Sequence, residues 1–329
     1  MLPCCHHLLS SNRISNEPSP FPWKDPKCLP PLRDDQSPEH IPLMEKYGIP
    51  FLIDIHTHFF PEYVMKQIWK WFDGVHWEIA YRETETKRLE ILNRNRIFHF
   101  TTLNYAHKAK MAEGLNRWVY ETHTKTKGAI LFGTFFPEEG CLDYTKRAVE
   151  EYGFCGFKLH CEVGRLDLTR ADLSETFYYL EKKEIPIVIH SGDAPLPGPY
   201  TNIRYFKSFI ERYPKLKVIV AHMGASEVWE YSELLEIYPE LRMDTTMVFV
   251  DFLATGENTN SYLEILEHYP DRIHFGSDFP NIPYALSHPI CNLLNTSLSE
   301  EIKRKIFLEN SAKLFWNFDL NRIRKLSLF

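Results

Sequence analysis

The sequence predicts an α/β fold, a closed (β/α)8 or TIM barrel carrying a Pro-rich N-terminal extension. Three observations lead there. After residue 50, eight short apolar runs alternate with segments of helical spacing over the length such a barrel requires. Several runs close on His or Asp, and a barrel keeps its chemistry at the carboxyl ends of its strands. The first run leads into histidines and then Phe59, Phe60, Pro61 and Glu62. A doubly wound sheet would more typically carry a Gly-rich nucleotide loop there.

Residues 1–50 read as an extended or partly disordered arm. They hold ten of the 22 prolines, and proline removes backbone donors and breaks helices. Phe21, Trp23 and Leu29 would let the arm pack on the body. Cys4, Cys5, His6 and His7 are metal-type residues, but neighbours in sequence do not readily close a tetrahedral site. Residues 51–317 then form the barrel, and 318–329 a tail. Strand-like runs fall at 51–55, 97–103, 128–135, 154–160, 186–190, 216–221, 241–245 and 272–277. Helical spacing occupies 61–72, 84–94, 107–125, 141–152, 171–184, 202–212, 225–237, 260–269 and 298–316. In the 171–184 segment, Asp172 and Glu175 suit the positive end of a helix, and Lys182 and Lys183 the negative end. Pro61, Pro137, Pro195 and Pro280 follow strands and would aim the next loop over the barrel mouth. The stretch 192–200 is rich in Pro and Gly and reads as a stiff loop beside the site.

Net charge is −6, with Lys and Arg scattered along helices instead of gathered on one face, so nucleic acid is not expected as a partner. Seven cysteines, an odd number with no C-x-x-C pair, argue against a disulfide framework. No apolar run reaches membrane-spanning length, and M1-L-P-C-C-H-H-L-L-S10 lacks the features of a cleaved signal. A cytoplasmic protein with a small-molecule substrate is the expectation. A chain with 23 Phe, 17 Tyr and 7 Trp carries more aromatic surface than barrel packing obviously consumes, and a homodimer is expected.

The chemistry concentrates in D54-I-H-T-H58. Residues two apart on a strand share a face, so His56 and His58 point the same way. His190 closes I187-V-I-H190, His222 closes V218-I-V-A-H222, and Asp278 follows F275-G-S-D278. Nitrogen and carboxylate ligands from separate strand ends are what a barrel offers a divalent metal. His56, His58, His190 and Asp278 form the expected metal set. The ion expected is one Zn2+, with Mn2+ as the other possibility. Asp278 is also expected to move the proton of bound water, whose pKa a metal lowers to near 7. His222 reads either as a further ligand or as a catalytic acid and polarising group, the second being favoured.

Lys158 and His160 share a face in G156-F-K-L-H160. A lysine inside an apolar strand must be paired or used. Three readings stand side by side: a contact to a substrate carboxylate, a carbamate bridging two metals, or a structural ion pair. His160, nearer the strand end, is a candidate for touching substrate. Asp193 would either meet substrate or cap a turn. Asp54 would either orient His56 through its ring or make a core hydrogen bond to the barrel floor or to backbone, the core role being favoured. Trp69, Trp71, Phe72 and Trp77 read as core before pocket lining, and Arg82 as a solvated charge before a substrate contact.

These motifs together resemble the amidohydrolase superfamily, and within it the amidohydrolase-2 group, which includes the aminocarboxymuconate-semialdehyde and γ-resorcylate decarboxylases beside many presumed hydrolases. The resemblance covers about residues 51–317. It rests on D54-I-H-T-H58 with Pro61, G156-F-K-L-H160, I187-V-I-H190, A221-H-M-G224, F275-G-S-D278 with Phe279 and Pro280, and E309-N-S-A-K-L-F315. It implies a (β/α)8 barrel with one catalytic divalent ion on His56, His58, His190 and Asp278, and His222 as the catalytic histidine beside it. It implies no choice between hydrolysis and non-oxidative decarboxylation. The expected reaction is hydrolysis of an amide, ester or lactone-like bond by activated water. The alternatives are decarboxylation of a small unsaturated or aromatic acid, and a metal-loaded barrel that only binds. After His190 the chain continues Ser-Gly-Asp-Ala-Pro, which departs from the aromatic-containing loop usual in the decarboxylases. The Pro-rich leader has no counterpart in compact members.

Overall fold

The computed structural model describes residues 38–75, 77–192, 198–250 and 259–316. Within them each of the eight predicted apolar runs contains a strand. They are β1 (Leu52–Asp54), β2 (Ile97–Thr101), β3 (Ala129–Ile130), β4 (Phe132–Gly133), β5 (Gly156–His160), β6 (Ile187–His190), β7 (Val218–Val220), β8 (Leu241–Asp244) and β9 (Ile273–His274). The run at 128–135 supplies two, β3 and β4, parted only by Leu131, whose carbonyl accepts from Cys155 N at 2.8 Å.

All pairs are parallel, in the orders β1-β2-β3 and β4-β5-β6-β7-β8-β9. Backbone bonds also join the chain beyond β1 to the chain beyond β9. Ile55 N donates to Phe275 O at 3.0 Å, Asp278 N to His56 O at 2.8 Å and His58 N to Phe279 O at 2.7 Å. The result is a parallel β core with helices around it, consistent with a (β/α)8-like barrel.

Period-two alternation sorts the strand residues. Ile187, Ile189, Val218 and Val220 join the large core with helix residues such as Phe177, Leu180, Phe206 and Phe209. Val188 and Ile219, between them, join a smaller cluster with Ile53, Ile55 and Phe132. His190 shares the parity of Val188, so the pleat turns it away from the helices. The helices follow the same economy. In Ser174–Lys182 the buried Thr176, Phe177 and Leu180 recur at helical spacing, with Glu175 in the first turn and Lys182 in the last. Thr84 and Ser299 cap Glu85–Arg94 and Glu300–Arg304 by accepting from Lys87 N and Ile302 N.

Some elements differ from expectation. Residues 1–37 of the expected arm, and the 318–329 tail, lie outside the described residues. Within 38–50 the chain forms the helix Ile41–Lys46, buries Met44 and Ile49, and donates from His40 Nε2 to Asn95 O at 3.0 Å. Ser287–Leu294 is a further helix where no element was predicted; Pro289 sits in its first turn, where a missing N–H costs nothing. The helix expected from 225 begins at Val228. Before it, His222, Met223 and Ala225 take positive φ of 56°, 50° and 55°. No described helix is long and apolar enough to cross a membrane.

Candidate metal centre

β1 carries the chain straight into His56 and His58, whose rings lie 5.1 Å apart and are buried. The backbone bonds to Phe275, Asp278 and Phe279 bring the segment after β9 beside them. Asp278, at φ 65°, receives His58 Nε2 at 2.9 Å on Oδ1, with His56 Nε2 3.5 Å from the same oxygen. Gly276 makes this approach possible, since a Cβ there would collide with Thr246 Oγ1 and His56 Cβ.

His56, His58 and Asp278 each offer a ligand atom within 4.8 Å of the others, and are the group among the described residues that could hold a metal ion. Their chemistry fits one. Burial, then the charge of Lys158, pulls His56 down to about 3 against the opposing Asp244, so its ring is neutral and keeps a lone pair. Burial would raise Asp278, but the hydrogen bond from His58 offsets this and holds it near 2, ionised. His58 Nδ1 is buried without a hydrogen-bond partner among the described residues. Imidazole nitrogens with one carboxylate oxygen suit Zn2+ and Mn2+.

His190 stands outside that group. It is the register partner of His160, and the two rings stack at 3.9 Å and 13°. His190 Nδ1 lies 3.2 Å from His222 Nε2. His222 Nδ1 lies 3.3 Å from Thr246 O. Burial lowers the pKa of all three histidines, leaving neutral rings.

A cavity opens over this floor of His58, His190, His222 and Asp278. Its walls are Phe72, Trp77, Tyr105 and His160, with Met247 and Asn281. Trp77 is fully buried and donates from Nε1 to Asn281 O at 2.8 Å, so core packing and pocket lining are one role here. Trp71 is 57% exposed.

Lys158 is absent from the cavity wall. It is fully buried, with Nζ 3.5 Å from His56 Nε2, and burial brings its pKa down to about 8 against the raising charges of Asp244 and Asp278. Arg82 pairs with Asp73 through Nη1 at 2.9 Å, away from the cavity lining. Asp193 lies outside the described residues. Asp54 takes the backbone role: its Oδ1 accepts from His56 N at 3.0 Å and Ser277 N at 3.1 Å. Burial raises its carboxyl to about 7.

The sequence reading missed Asp244. It closes β8, and its Oδ2 accepts from His56 Nδ1 at 2.8 Å across 188 positions of chain. The signal was present, since L241-R-M-D244 ends on a carboxylate as other site strands do. Tyr105 carried no motif; its ring packs 5.6 Å from His58 and 4.9 Å from His160.

The model of the amidohydrolase-2 family, described as Amidohydrolase, matches residues 53–316, and the chain belongs to that family. No curated protein sequence matches it. Among solved structures it is similar to the uncharacterised TIM-barrel protein Bb4693 from Bordetella bronchiseptica, at TM-score 0.64 and 16% identity, over 80% of this chain and 98% of that one. It is similar to 2,6-dihydroxybenzoate decarboxylase from Rhizobium, at TM-score 0.59 and 17% identity, over 80% and 98%. A third is the dihydroxybenzoic acid decarboxylase from Polaromonas sp. JS666 with bound manganese and 2-nitroresorcinol, at TM-score 0.60 and 18% identity, over 85% and 99%. At these identities the likeness is one of fold.

Proposed function

We propose that this chain is a metal-dependent lyase that removes CO2, without oxidation, from a small aromatic or unsaturated carboxylic acid. The observation that carries this reading is the cavity: Phe72, Trp77 and Tyr105 line the same space as His58 and Asp278, and aromatic walls beside polar groups suit a planar acid. The named decarboxylases that share the fold support it. His56, His58 and Asp278 would hold one divalent ion, with His190 as fourth ligand after its ring leaves His222. Zinc was expected from sequence; the manganese in the Polaromonas structure makes Mn2+ an equal candidate.

A bound divalent ion stabilises anionic substrate oxygens at neutral pH. The residues do the rest. The aromatic walls hold the ring, and His160, neutral and stacked on His190, contacts its edge. In the reaction the C–C bond to the carboxylate breaks and CO2 leaves. The electron pair stays on the ring carbon, and one proton takes the vacated position. Asp278 is the carboxylate of the cavity lining and would deliver that proton. Because it rests ionised, it first takes a proton from the incoming acid or its hydroxyl. His222 orients that hydroxyl. Lys158 sits beneath the floor and would hold charge balance behind His56.

A specific observation keeps hydrolysis as the second reading. Asp278 lines the cavity as an ionised carboxylate 2.9 Å from His58 Nε2, so an acceptor stands where the proton of an activated water would go. A panel assay on protein loaded with Zn2+ or Mn2+ separates the two. CO2 release from hydroxybenzoate-like acids is the expected result. Turnover of esters or lactones without CO2 release would reverse the order, and inertness to both classes would leave a binding protein. The proposal includes a homodimer, supported by Tyr178 and Trp229, which lie 49% and 40% exposed on their helices, and a cytoplasmic location carried over from the sequence expectation.

A further inference from the structure

Two histidines of the site make a ring contact with a group that carries no hydrogen to give. His56 Nδ1 meets Asp244 Oδ2 at 2.8 Å, and His222 Nδ1 faces the Thr246 carbonyl at 3.3 Å. A carbonyl only accepts, and an ionised carboxylate only accepts, so each ring must put its proton on Nδ1. Its Nε2 then keeps the lone pair. Asp244 connects the two. While Oδ2 takes the His56 ring, Oδ1 accepts from His222 N at 3.0 Å and from Thr246 N at 3.1 Å. The same carboxylate therefore anchors the positive-φ backbone that presents the His222 ring and the turn whose carbonyl receives it.

We propose that Asp244 is a positioning residue, which with the Thr246 carbonyl fixes His56 and His222 in the Nδ1–H tautomer. Each then presents an Nε2 lone pair, His56 towards Asp278 and the metal group, His222 towards His190 at the cavity floor. The inference deepens the metal-centre reading and rests on it for its functional meaning. His222 accordingly rests as a proton acceptor, which fits it to orient a substrate hydroxyl and not to act first as an acid. Two backbone N–H groups donating to Oδ1 favour the ionised form of the Asp244 carboxyl.

Asp244→Asn is close to isosteric and inverts one contact. Two backbone N–H groups face Oδ1, so the amide oxygen stays with them and the NH2 turns to His56 Nδ1. Donating there forces the His56 proton onto Nε2, the atom a metal needs. An orienting partner of a ligating histidine is worth about 10–100-fold in metal affinity. The test is a chelator-competition titration of the full chain with Zn2+ and with Mn2+. Ring 15N spectra of the metal-free protein, assigned with His56→Gln and His222→Gln, accompany it. The expected result is an Nδ1–H tautomer for both rings in the parent protein. In D244N, His56 switches to Nε2–H while His222 does not, and affinity falls at least about 10-fold. Equal affinity in D244N, or an Nε2–H ring at His56 in the parent, overturns the inference. If D244N does not fold, the parent ring spectrum still decides. A parent that shows both tautomers as stated but takes up no ion would support the hydrogen-bond assignment and overturn the metal reading.

Discussion

His56 and His58 were legible because a strand's period of two is a local property; no knowledge of the rest of the fold was needed to set them on one face. Asp278 was legible for a similar reason, closing an apolar run beside Gly276. Asp244 closes its own run in the same way and was passed over, because its significance lies in what stands opposite, and His56 is 188 positions away. His190 closes its run in the same way, and its ring stacks on that of His160 with Nδ1 3.2 Å from His222 Nε2. Those contacts give His222 a specific expectation. His222→Asn keeps a polar side chain of similar reach and removes the ring lone pair, so kcat on the accepted acid should fall about 10²-fold with metal content unchanged. Loss of the ion in that variant would instead make His222 a ligand.

Element existence followed from alternation, and element detail from packing the sequence does not display. Every predicted apolar run holds a strand, yet 128–135 holds two, parted at Leu131, whose carbonyl accepts from Cys155 N. The segment after β7 reads as the approach to a helix, but the chain passes through positive φ at His222, Met223 and Ala225 before Val228. Asp244 accepting from His222 N is one compensation for that backbone, and strained backbone of this kind persists only where surroundings hold it. The helix Ser287–Leu294 was hidden by Pro289, since proline at a helix start and proline in a loop look alike in sequence.

Burial of titratable groups sets how the whole molecule responds to acid. His40 and His123 are brought to about 4, and His56 and His274 to about 3, in each case chiefly by burial. Unfolded histidine titrates near about 6.5, so around pH 5 the unfolded chain binds these protons and the folded chain does not. Stability from these groups is present above about 6.5 and is lost as pH falls towards their folded values. Asp54 works the other way: raised to about 7, it is protonated in the folded chain at pH 5 and ionised in the unfolded one. Unfolding of chelator-treated protein near pH 5 should therefore take up about three protons or more, read from the slope of unfolding free energy against pH. A stability that stays level from pH 6.5 to 4.5 would contradict the assignment of neutral buried rings. None of this was legible in composition, because 15 histidines in a sequence do not say which are enclosed.

The central claim is that His56, His58 and Asp278 form the binding group for one catalytic divalent ion. Elemental analysis of protein purified without chelator addresses it most directly, taken side by side for the parent chain and the H56A/H58A double variant. The account predicts about one equivalent of Zn2+ or Mn2+ per parent chain and its loss in the variant, as removal of two of its few protein ligands requires. A full equivalent retained by the double variant, or none in the parent protein even after loading with either ion, would contradict it.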